Sequence, residues 1–299
     1  MAQEVAGCPV SAGKVSVYVL TYNEEKNLRE CLESAKLVSD DIHVVDSCSS
    51  DKTLEIAEEY GCYIHQRKFD TFARQCNWAL ETIPFKHEWI IRLDADERIP
   101  GSLAEEIQEY AHTLGEDVTG VMFKKRLYFM GRWIRYGRMY PMLRLAMFRK
   151  GSGYYEDKEE EQYVLTRGRY ITAKHDFYEC NQNNTLPFFT MKHLDYAEDE
   201  VKEALDEELD HEITPKLFGN KIERTRWLKV HVYSHVPLFV RPWLYFFYRY
   251  FFCLGFLDGI PGLIFHTLQA FWYRFYVDAR IYEMRSNWRE KRLNFEDIR

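Results

Sequence analysis

The chain has 299 residues, of which 46% are hydrophobic and 29% charged, so it can bury a full core and is neither disordered nor fibrous. Its net charge of −7 is divided unevenly, because residues 216–299 carry 14 Lys and Arg against 7 Asp and Glu, which leaves −14 on residues 1–215. A body this acidic argues against a nucleic acid as partner.

The first hundred residues alternate between short apolar runs and segments with helical spacing. This order predicts a mostly parallel, Rossmann-like sheet with helices on both faces, an α/β fold. No GxGxxG or GxxxxGK[ST] motif is present, which disfavours a dinucleotide fold and the common phosphate loop. The predicted strands are "KVSVYVLTYN", "DIHVVDSCSSD", "CYIHQRK" and "EWIIRLDADE", and the helices between them are "EEKNLRECLESAKLV", "KTLEIAEEYG" and "FARQCNWALETI".

Three of the predicted strands end in polar, acid-bearing loops, "TYNEE", "DSCSSD" and "DADE". Ligands of open parallel sheets bind at the carboxyl ends of the strands, so these loops predict one site. In an extended chain Asp94 and Asp96 share a face, where two carboxylates repel each other unless a cation lies between them. Oxygen ligands suit Mg²⁺ or Mn²⁺. A polar turn explains one of these acids, but not a cluster of three.

The C-terminal part of the chain is basic and aromatic, with 17 aromatic residues between Tyr233 and Tyr276. Two apolar stretches broken by "LGFLDGIPG" predict an amphipathic helical hairpin over residues 235–283. Basic charge mixed with aromatic rings is typical of a segment lying in a membrane interface. A core or a homo-oligomer contact is the alternative, and the sequence does not separate them.

Cysteine usage and the N-terminus predict a location. The seven cysteines are scattered without a CxxC pair, and the N-terminus lacks the basic start and apolar run of a signal peptide. We therefore expect a cytoplasmic protein, peripheral at the inner face of the membrane.

Four stretches carry a family resemblance: "VYVLTYNEEKNLRECLES", "HVVDSCSSDKTLEIAEEYG", "FARQCNWALE" and "WIIRLDADERI". Together they resemble glycosyltransferase family 2, which has the GT-A fold. The stretch "YFMGRWIRYGRMYPMLRLAMFRKG" and the aromatic C-terminus resemble the lipopolysaccharide-core glucosyltransferase branch. The resemblance implies a nucleotide-sugar donor, a Mn²⁺ or Mg²⁺ ion and transfer with inversion.

The resemblance also implies roles for individual residues. Residues matching the nucleotide-binding motifs are Thr21, Tyr22, Asn23, Glu24, Asp46, Asp51, Arg74, Gln75, Asn77 and Asp94. The metal ligands of the DxD motif are Asp96 and Asp94. The catalytic base of the branch lies in a His-Glu element, and the matching segment "YYEDKEEEQY" offers Glu161, then Glu160, then Asp157, without the His. This segment could instead be a solvated acidic loop.

The resemblance, together with the acidic strand ends, thus implies a metal-assisted, inverting hexosyltransferase. Its expected donor is UDP-glucose or another UDP-hexose, and its expected acceptor is a lipid-linked or lipopolysaccharide-type surface glycan. Residues 1–215 are the predicted catalytic domain and residues 216–299 the helical extension. A nucleotidyltransferase of similar fold is disfavoured because "TYNEEKN" has no Gly. A non-catalytic scaffold of GT-A type is the remaining alternative.

Overall fold

The computed structural model describes residues 15–156, 163–183, 185–205 and 236–286. The chain divides into unit 1, Met1–Ile134 with Met139–Asn183, and unit 2, Arg135–Arg138 with Asn184–Arg299. A catalytic role for residues 1–215 and a membrane or oligomer role for residues 216–299 stay predictions.

The predicted alternation of strands and helices in the first hundred residues is confirmed. The first, second and fourth strands are rich in β-branched and apolar residues and are buried on both faces of the sheet. The helix after the third strand begins where the Thr71 hydroxyl accepts a hydrogen bond from the Arg74 amide at 3.3 Å. These elements are β1 (Val15–Thr21), α1 (Leu28–Ala35), β2 (Asp41–Asp46), α2 (Thr53–Glu59), β3 (Tyr63–Gln66), α3 (Phe72–Thr82) and β4 (Trp89–Asp94).

The second half of unit 1 adds strands of both directions to the same sheet. Its elements are β5 (Glu97–Arg98), α4 (Gly101–Thr113), β6 (Val118–Phe129), β7 (Arg132–Trp133), β8 (Met142–Arg149), β9 (Gly153–Tyr155), β10 (Tyr163–Leu165) and β11 (Arg169–Glu179). The sheet order is β3-β2-β1-β4-β8-β6-β11-β5, with β7 paired to β6. Because β8 is antiparallel to both β4 and β6, β4 and β6 run in the same direction. The predicted α/β fold with a mostly parallel sheet is confirmed.

Two apolar layers hold this sheet in place. One face packs Leu32, Ile56 and Leu103 from the helices against the strands, and the other packs Cys76 and Phe148. Burying one Leu, Ile or Phe side chain contributes about 1.5–3 kcal/mol. The two layers therefore fix the strand ends that carry the polar loops.

Unit 2 is helical, as the C-terminal pattern predicts. Two helical segments, residues 241–252 and 255–286, meet at a bend of 69°, where Leu254 has a φ of 61°. No single helix in the described ranges is long and apolar enough to cross a membrane, although this bent pair passes the same test when taken together. The helices are α5 (Leu186–Leu205), α6 (Arg241–Phe247), α7 (Gly259–His266) and α8 (Tyr273–Ser286), with π turns at Tyr248–Phe252 and Thr267–Trp272 and a 3-10 turn at Gly255–Asp258.

The helix α5 packs against α8 within unit 2. Ala197 and Val201 are buried against Val277 and Ile281, while Arg280 donates to Glu198 at 2.7 and 2.9 Å beside this core. The contact between α5 and α8 thus consists of buried apolar side chains with an ion pair beside them, and it gives unit 2 a core of its own.

Candidate active site

The carboxyl ends of β1, β2 and β4 meet at one edge of the sheet, which we call the site edge. In the parallel register Thr21 lies beside Asp46, and Leu20 lies beside Asp94. Because β6 runs in the same direction as β4, its end and the start of β8 lie at this edge as well. The fold therefore brings together residues that three separate sequence motifs supply.

Asp46 lies under the loops of the site edge, with its side chain fully buried. It accepts hydrogen bonds from the Thr21 hydroxyl at 3.0 Å, and from the Ser49 amide and hydroxyl at 2.9 and 2.5 Å. The Ser49 hydroxyl also accepts from the amide of Asn23, which has a φ of 54°. The Asp46 carboxylate thus joins two loops, and its predicted contact with a nucleoside stays a prediction.

Asp51 orders the start of α2 and the loop after β1. Its carboxylate accepts from the amide and hydroxyl of Thr53 at 3.0 and 2.5 Å, and from the Glu25 amide at 3.0 Å. Burial acts to raise the pKa of Asp51, but these hydrogen bonds outweigh it and lower the pKa below its usual value. The Glu24 amide donates to the Thr53 hydroxyl at 2.8 Å. On the same loop Tyr22 is 63% exposed, which leaves its ring available for stacking.

The predicted residues of α3 have three different surroundings. Gln75 is buried and accepts from Arg67 at 2.5 Å, so it supports the loop after β3. The side-chain amide of Asn77 forms two 2.8 Å hydrogen bonds with the backbone of Tyr155, and these bonds join α3 to β9. Arg74 is exposed in the first turn of α3. Arg74 is the exposed one of these three side chains, and its predicted contact with the nucleotide stays a prediction.

The three candidates for the catalytic base, Asp157, Glu160 and Glu161, lie outside the described residues. The first of them, Asp157, is two residues after Tyr155, whose backbone carbonyl accepts a hydrogen bond from Asn77. Their role stays a prediction.

Asp94, the first acid of the DxD motif, is an ion-pair partner of two arginines. It accepts from Arg92 at 3.1 Å and from Arg144 at 2.7 Å. Burial acts to raise its pKa, but the two guanidinium groups together hold the pKa well below its usual range. Arg144 also donates to Glu97 at 2.5 Å, and Glu97 accepts from the Asp94 amide at 3.0 Å. Asp94 is therefore a carboxylate that the protein already neutralises.

Asp96, the second acid, has the opposite environment. Its side chain accepts a hydrogen bond from Asn181 at 3.0 Å, and in the described part of the chain it has no ion-pair partner. Burial, followed by the charges of Glu179, Asp94 and Glu97, raises the pKa of Asp96 to about 8. A carboxyl whose charged form is disfavoured in this way gains from a nearby cation.

The chemistry of the donor set fits a divalent cation at Asp96. Its oxygen ligands are the kind that Mg²⁺ and Mn²⁺ take. No group of three or more His, Cys, Asp or Glu side chains suited to a metal occurs in the ranges that the structure describes.

Several residues of the site edge were not predicted from sequence. Lys125 on β6 forms an ion pair with Glu179 at the end of β11. Burial acts to lower the pKa of Lys125, but the charges of Glu179 and Glu97 outweigh it and raise the pKa. Asn27 donates to Glu24 at 2.7 Å and to Asn181 at 3.2 Å. The missed residues have no motif of their own. The sheet order brings Lys125 and Glu179 near Asp96, and Asn27 is linked to Asp96 through Asn181.

Comparison with known proteins identifies the family. The model of "Glycosyl transferase family 2" matches residues 16–175, which are 160 of the 299 residues. An uncharacterized glycosyltransferase of Rickettsia bellii is 37% identical over 95 residues, which are 32% of each chain. One of Rickettsia typhi is 28% identical over 130 residues, 44% of each chain. The match thus spans less than half the length of these curated relatives.

A solved structure supports the fold. The mannosyltransferase PcManGT of Pyrobaculum calidifontis, in complex with GDP-Man and Mn²⁺, has a TM-score of 0.51 and 16% identity, covering 94% of this chain and 90% of its own. At this identity the likeness shows the fold alone, and it confirms the predicted GT-A architecture. The matched family model covers more than half of the chain, including all three acidic strand ends, and it establishes that this chain belongs to glycosyl transferase family 2.

Proposed function

We propose that this protein is an inverting glycosyltransferase that moves a hexose from a nucleotide sugar to an acceptor hydroxyl with the help of a divalent metal ion. The single observation that carries the proposal is Asp96, a carboxyl at the site edge that lacks an ion-pair partner among the described residues while Asp94 two residues earlier has two. A bound cation would satisfy Asp96 and face the open side of the edge. UDP-glucose or another UDP-hexose is the proposed donor.

Each part of the site edge has a proposed task. Tyr22 stacks on the base, since its ring is exposed, and the loops ordered by Asp46 and Asp51 hold the nucleoside. Arg74 contacts the diphosphate from the first turn of α3. Asp96 and Asp94 would hold the metal, which would supply positive charge against the negative charge that develops on the leaving diphosphate.

The transfer itself is a single displacement. The acceptor hydroxyl oxygen forms a bond to the anomeric carbon, the bond from that carbon to the diphosphate oxygen breaks, and the diphosphate leaves with the electron pair. A carboxylate takes the hydroxyl proton, and Glu161, Glu160 or Asp157 is the proposed base. Asn77 anchors the backbone of Tyr155, which precedes the segment that holds these acids.

The proposed acceptor is a lipid-linked or lipopolysaccharide-type surface glycan, as in the lipopolysaccharide-core branch. A lipid-anchored acceptor would require the enzyme to work at a membrane surface, and the basic, aromatic residues 235–283 supply a surface of suitable character. The enzyme would then be peripheral at the cytoplasmic face of the membrane.

A thermal-shift panel tests the proposal with the full chain. The ligands are UDP, UDP-glucose, UDP-N-acetylglucosamine and GDP-mannose, each with Mn²⁺, with Mg²⁺ and with EDTA. A ligand present at 100 times its Kd stabilises the folded state by about 2.7 kcal/mol, a shift of several degrees for a domain of this size. We expect UDP and UDP-hexoses to raise the melting temperature only with a metal.

Two substitutions give the panel its control. Asp96→Asn should abolish the metal-dependent shift. Asp117→Asn should leave it intact, because Asp117 precedes β6 and lies at the opposite edge of the sheet, where it is 65% exposed and pairs with Arg169. No shift with any nucleotide would favour a non-catalytic scaffold, and a shift with nucleoside triphosphates alone would favour a nucleotidyltransferase.

A further inference from the structure

Ten large apolar side chains of unit 2, on both sides of its bend, are each more than 40% exposed. Large exposed apolar surfaces on soluble proteins commonly mark binding sites. The most exposed of them are Phe252, at 81%, and Ile260, at 73%, one on each side of the bend. We call this set the apolar face of unit 2, and it consists of Trp243, Leu244, Phe247, Phe251, Phe252, Leu254, Phe256, Leu257, Ile260 and Leu263.

The apolar face has regular helical spacing before the bend. Trp243, Phe247 and Phe251 follow one another every four residues, and their rings stack with centroids 6.2 and 5.5 Å apart. Trp243 also contacts Phe271 from the second helical segment at 4.3 Å. The face is therefore a row of aromatic rings held by its neighbours.

A basic loop of four residues, Arg135–Arg138, is attached to the same bend within unit 2. The amides of Arg135 and Tyr136 donate to the buried Asp258 at 3.2 and 2.9 Å. The Gly137 amide donates to the Cys253 carbonyl at 2.9 Å, and the Gly137 carbonyl accepts from Arg249 at 2.8 Å. These bonds fix the loop beside the bend.

Gly137 makes this attachment sterically possible. Its φ is +66°, and a Cβ there would lie 2.1 Å from Cε1 of the buried His266. With the backbone held in this way, the side chains of Arg135 and Arg138 are both exposed. Arg138 also donates to the hydroxyl of Tyr248 at 3.3 Å, which aligns it with the aromatic helix.

We propose that the apolar face and the Arg135–Arg138 loop form a docking surface for an anionic lipid bilayer, in which the aromatic rings enter the boundary of headgroups and acyl chains and the two arginines contact lipid phosphates. The inference deepens the proposed function, on which it rests for the lipid-anchored acceptor. Charge complementarity favours an anionic lipid over a second copy of this chain, because the charged side chains of this surface are the two exposed arginines, Arg135 and Arg138, and none of the residues that define it is acidic. Two such surfaces would face each other with like charge.

Vesicle flotation of the full chain tests the docking surface. The vesicles are phosphatidylcholine alone, or phosphatidylcholine with about 30% phosphatidylglycerol. Each arginine near an anionic surface is worth about fivefold in binding. We expect binding to the anionic vesicles, a loss of about 25-fold for Arg135→Gln with Arg138→Gln, and no detectable flotation for Phe252→Ser with Ile260→Ser.

A matched control removes the same number of positive charges, two, from unit 1 instead of from the docking surface. Arg29→Gln with Arg169→Gln removes two exposed arginines, 49% and 62% exposed, and should leave flotation unchanged. All variants change exposed side chains, and their melting temperatures report whether they fold. Equal loss of flotation in this control would show that net charge alone is responsible and would overturn the assignment.

Other outcomes would contradict the proposal in distinct ways. Light scattering that shows a dimer, abolished by Phe252→Ser with Ile260→Ser, would assign the face to a second copy. Stabilisation by inorganic phosphate through Arg135 and Arg138, without flotation, would assign the loop to a soluble phosphate. The nucleotide thermal shift is measured without vesicles. If the unmodified chain shows no such shift, the proposed transferase function fails, whatever the result of flotation.

Discussion

The two aspartates of the DxD motif should have opposite effects on stability when each is changed to asparagine. Asp94 is held by Arg92 and Arg144, so Asp94→Asn leaves two guanidinium groups without their shared carboxylate. Asp96 has a pKa raised to about 8 by burial and by neighbouring acids, so its ionised form opposes folding. We expect Asp94→Asn to destabilise the protein and Asp96→Asn to stabilise it at high pH.

The sign for Asp96 follows from proton linkage. Because its folded-state pKa lies above the unfolded value, its contribution is fully favourable below about pH 4 and is lost as the pH rises to about 8. Asp96→Asn removes this loss. Since solvent reaches part of the side chain and screens its neighbours, we expect the variant to gain about 1–2 kcal/mol at pH 8.5, which is about 3–6 °C in melting temperature.

The sign for Asp94 is reversed. Its folded-state pKa is lowered, so the stability it contributes is present above the unfolded value and is lost as the pH falls through the acid range. Arg92 is buried, and removing its carboxylate partner should cost about 2–3 kcal/mol near neutral pH.

Thermal unfolding in EDTA between pH 5 and pH 8.5 measures both effects. The difference between Asp96→Asn and the unmodified chain should grow with pH, and Mn²⁺ should remove most of it by stabilising the unmodified chain alone. A variant Asp96→Asn that melts below the unmodified chain at pH 8.5 would refute the argument that Asp96 carries uncompensated charge. Equal losses in both variants would show that the motif acts as one structural unit.

Two further substitutions should move metal binding in opposite directions. Asn181→Ala removes the hydrogen bond that orients Asp96, and should raise the Mn²⁺ concentration needed for half-maximal binding about tenfold, as measured by titration with UDP present. Lys125→Met removes a positive charge beside Glu179, and the same titration should give tighter Mn²⁺ binding by several-fold with a lower melting temperature. Weaker binding in Lys125→Met would mean that Lys125 supports the metal site instead of competing with it.

The sequence predicts the frame of the site because its signals are local. Apolar runs, helical spacing and the polar residues that follow them are enough to place β1, β2 and β4, and a parallel sheet brings their ends to one edge. Thr21, Asp46 and Asp94 were predicted together for this reason, and the register puts them together.

The sequence does not predict which charges pair, because that depends on contacts far along the chain. Arg144 reaches Asp94 from 50 residues away, and Asn181 reaches Asp96 from 85 residues away. Both contacts require the order in which β8 and β11 join the sheet, which no short pattern encodes. The attachment of Arg135–Arg138 to unit 2 is of the same kind, since Asp258 lies more than 120 residues further on.

The pairing of charges explains why one motif holds two different carboxylates. Four acids, Asp94, Asp96, Glu97 and Glu179, lie close to one another at the site edge, and the protein supplies Arg92, Arg144 and Lys125 as internal cations. These three cations pair with Asp94, Glu97 and Glu179. One further arginine at Asp96 would give a more stable fold and would leave no place for a metal. A carboxyl without an ion-pair partner is thus the structural cost of a cation site, and Asp96 is one of the two acids that the proposed mechanism assigns to the metal.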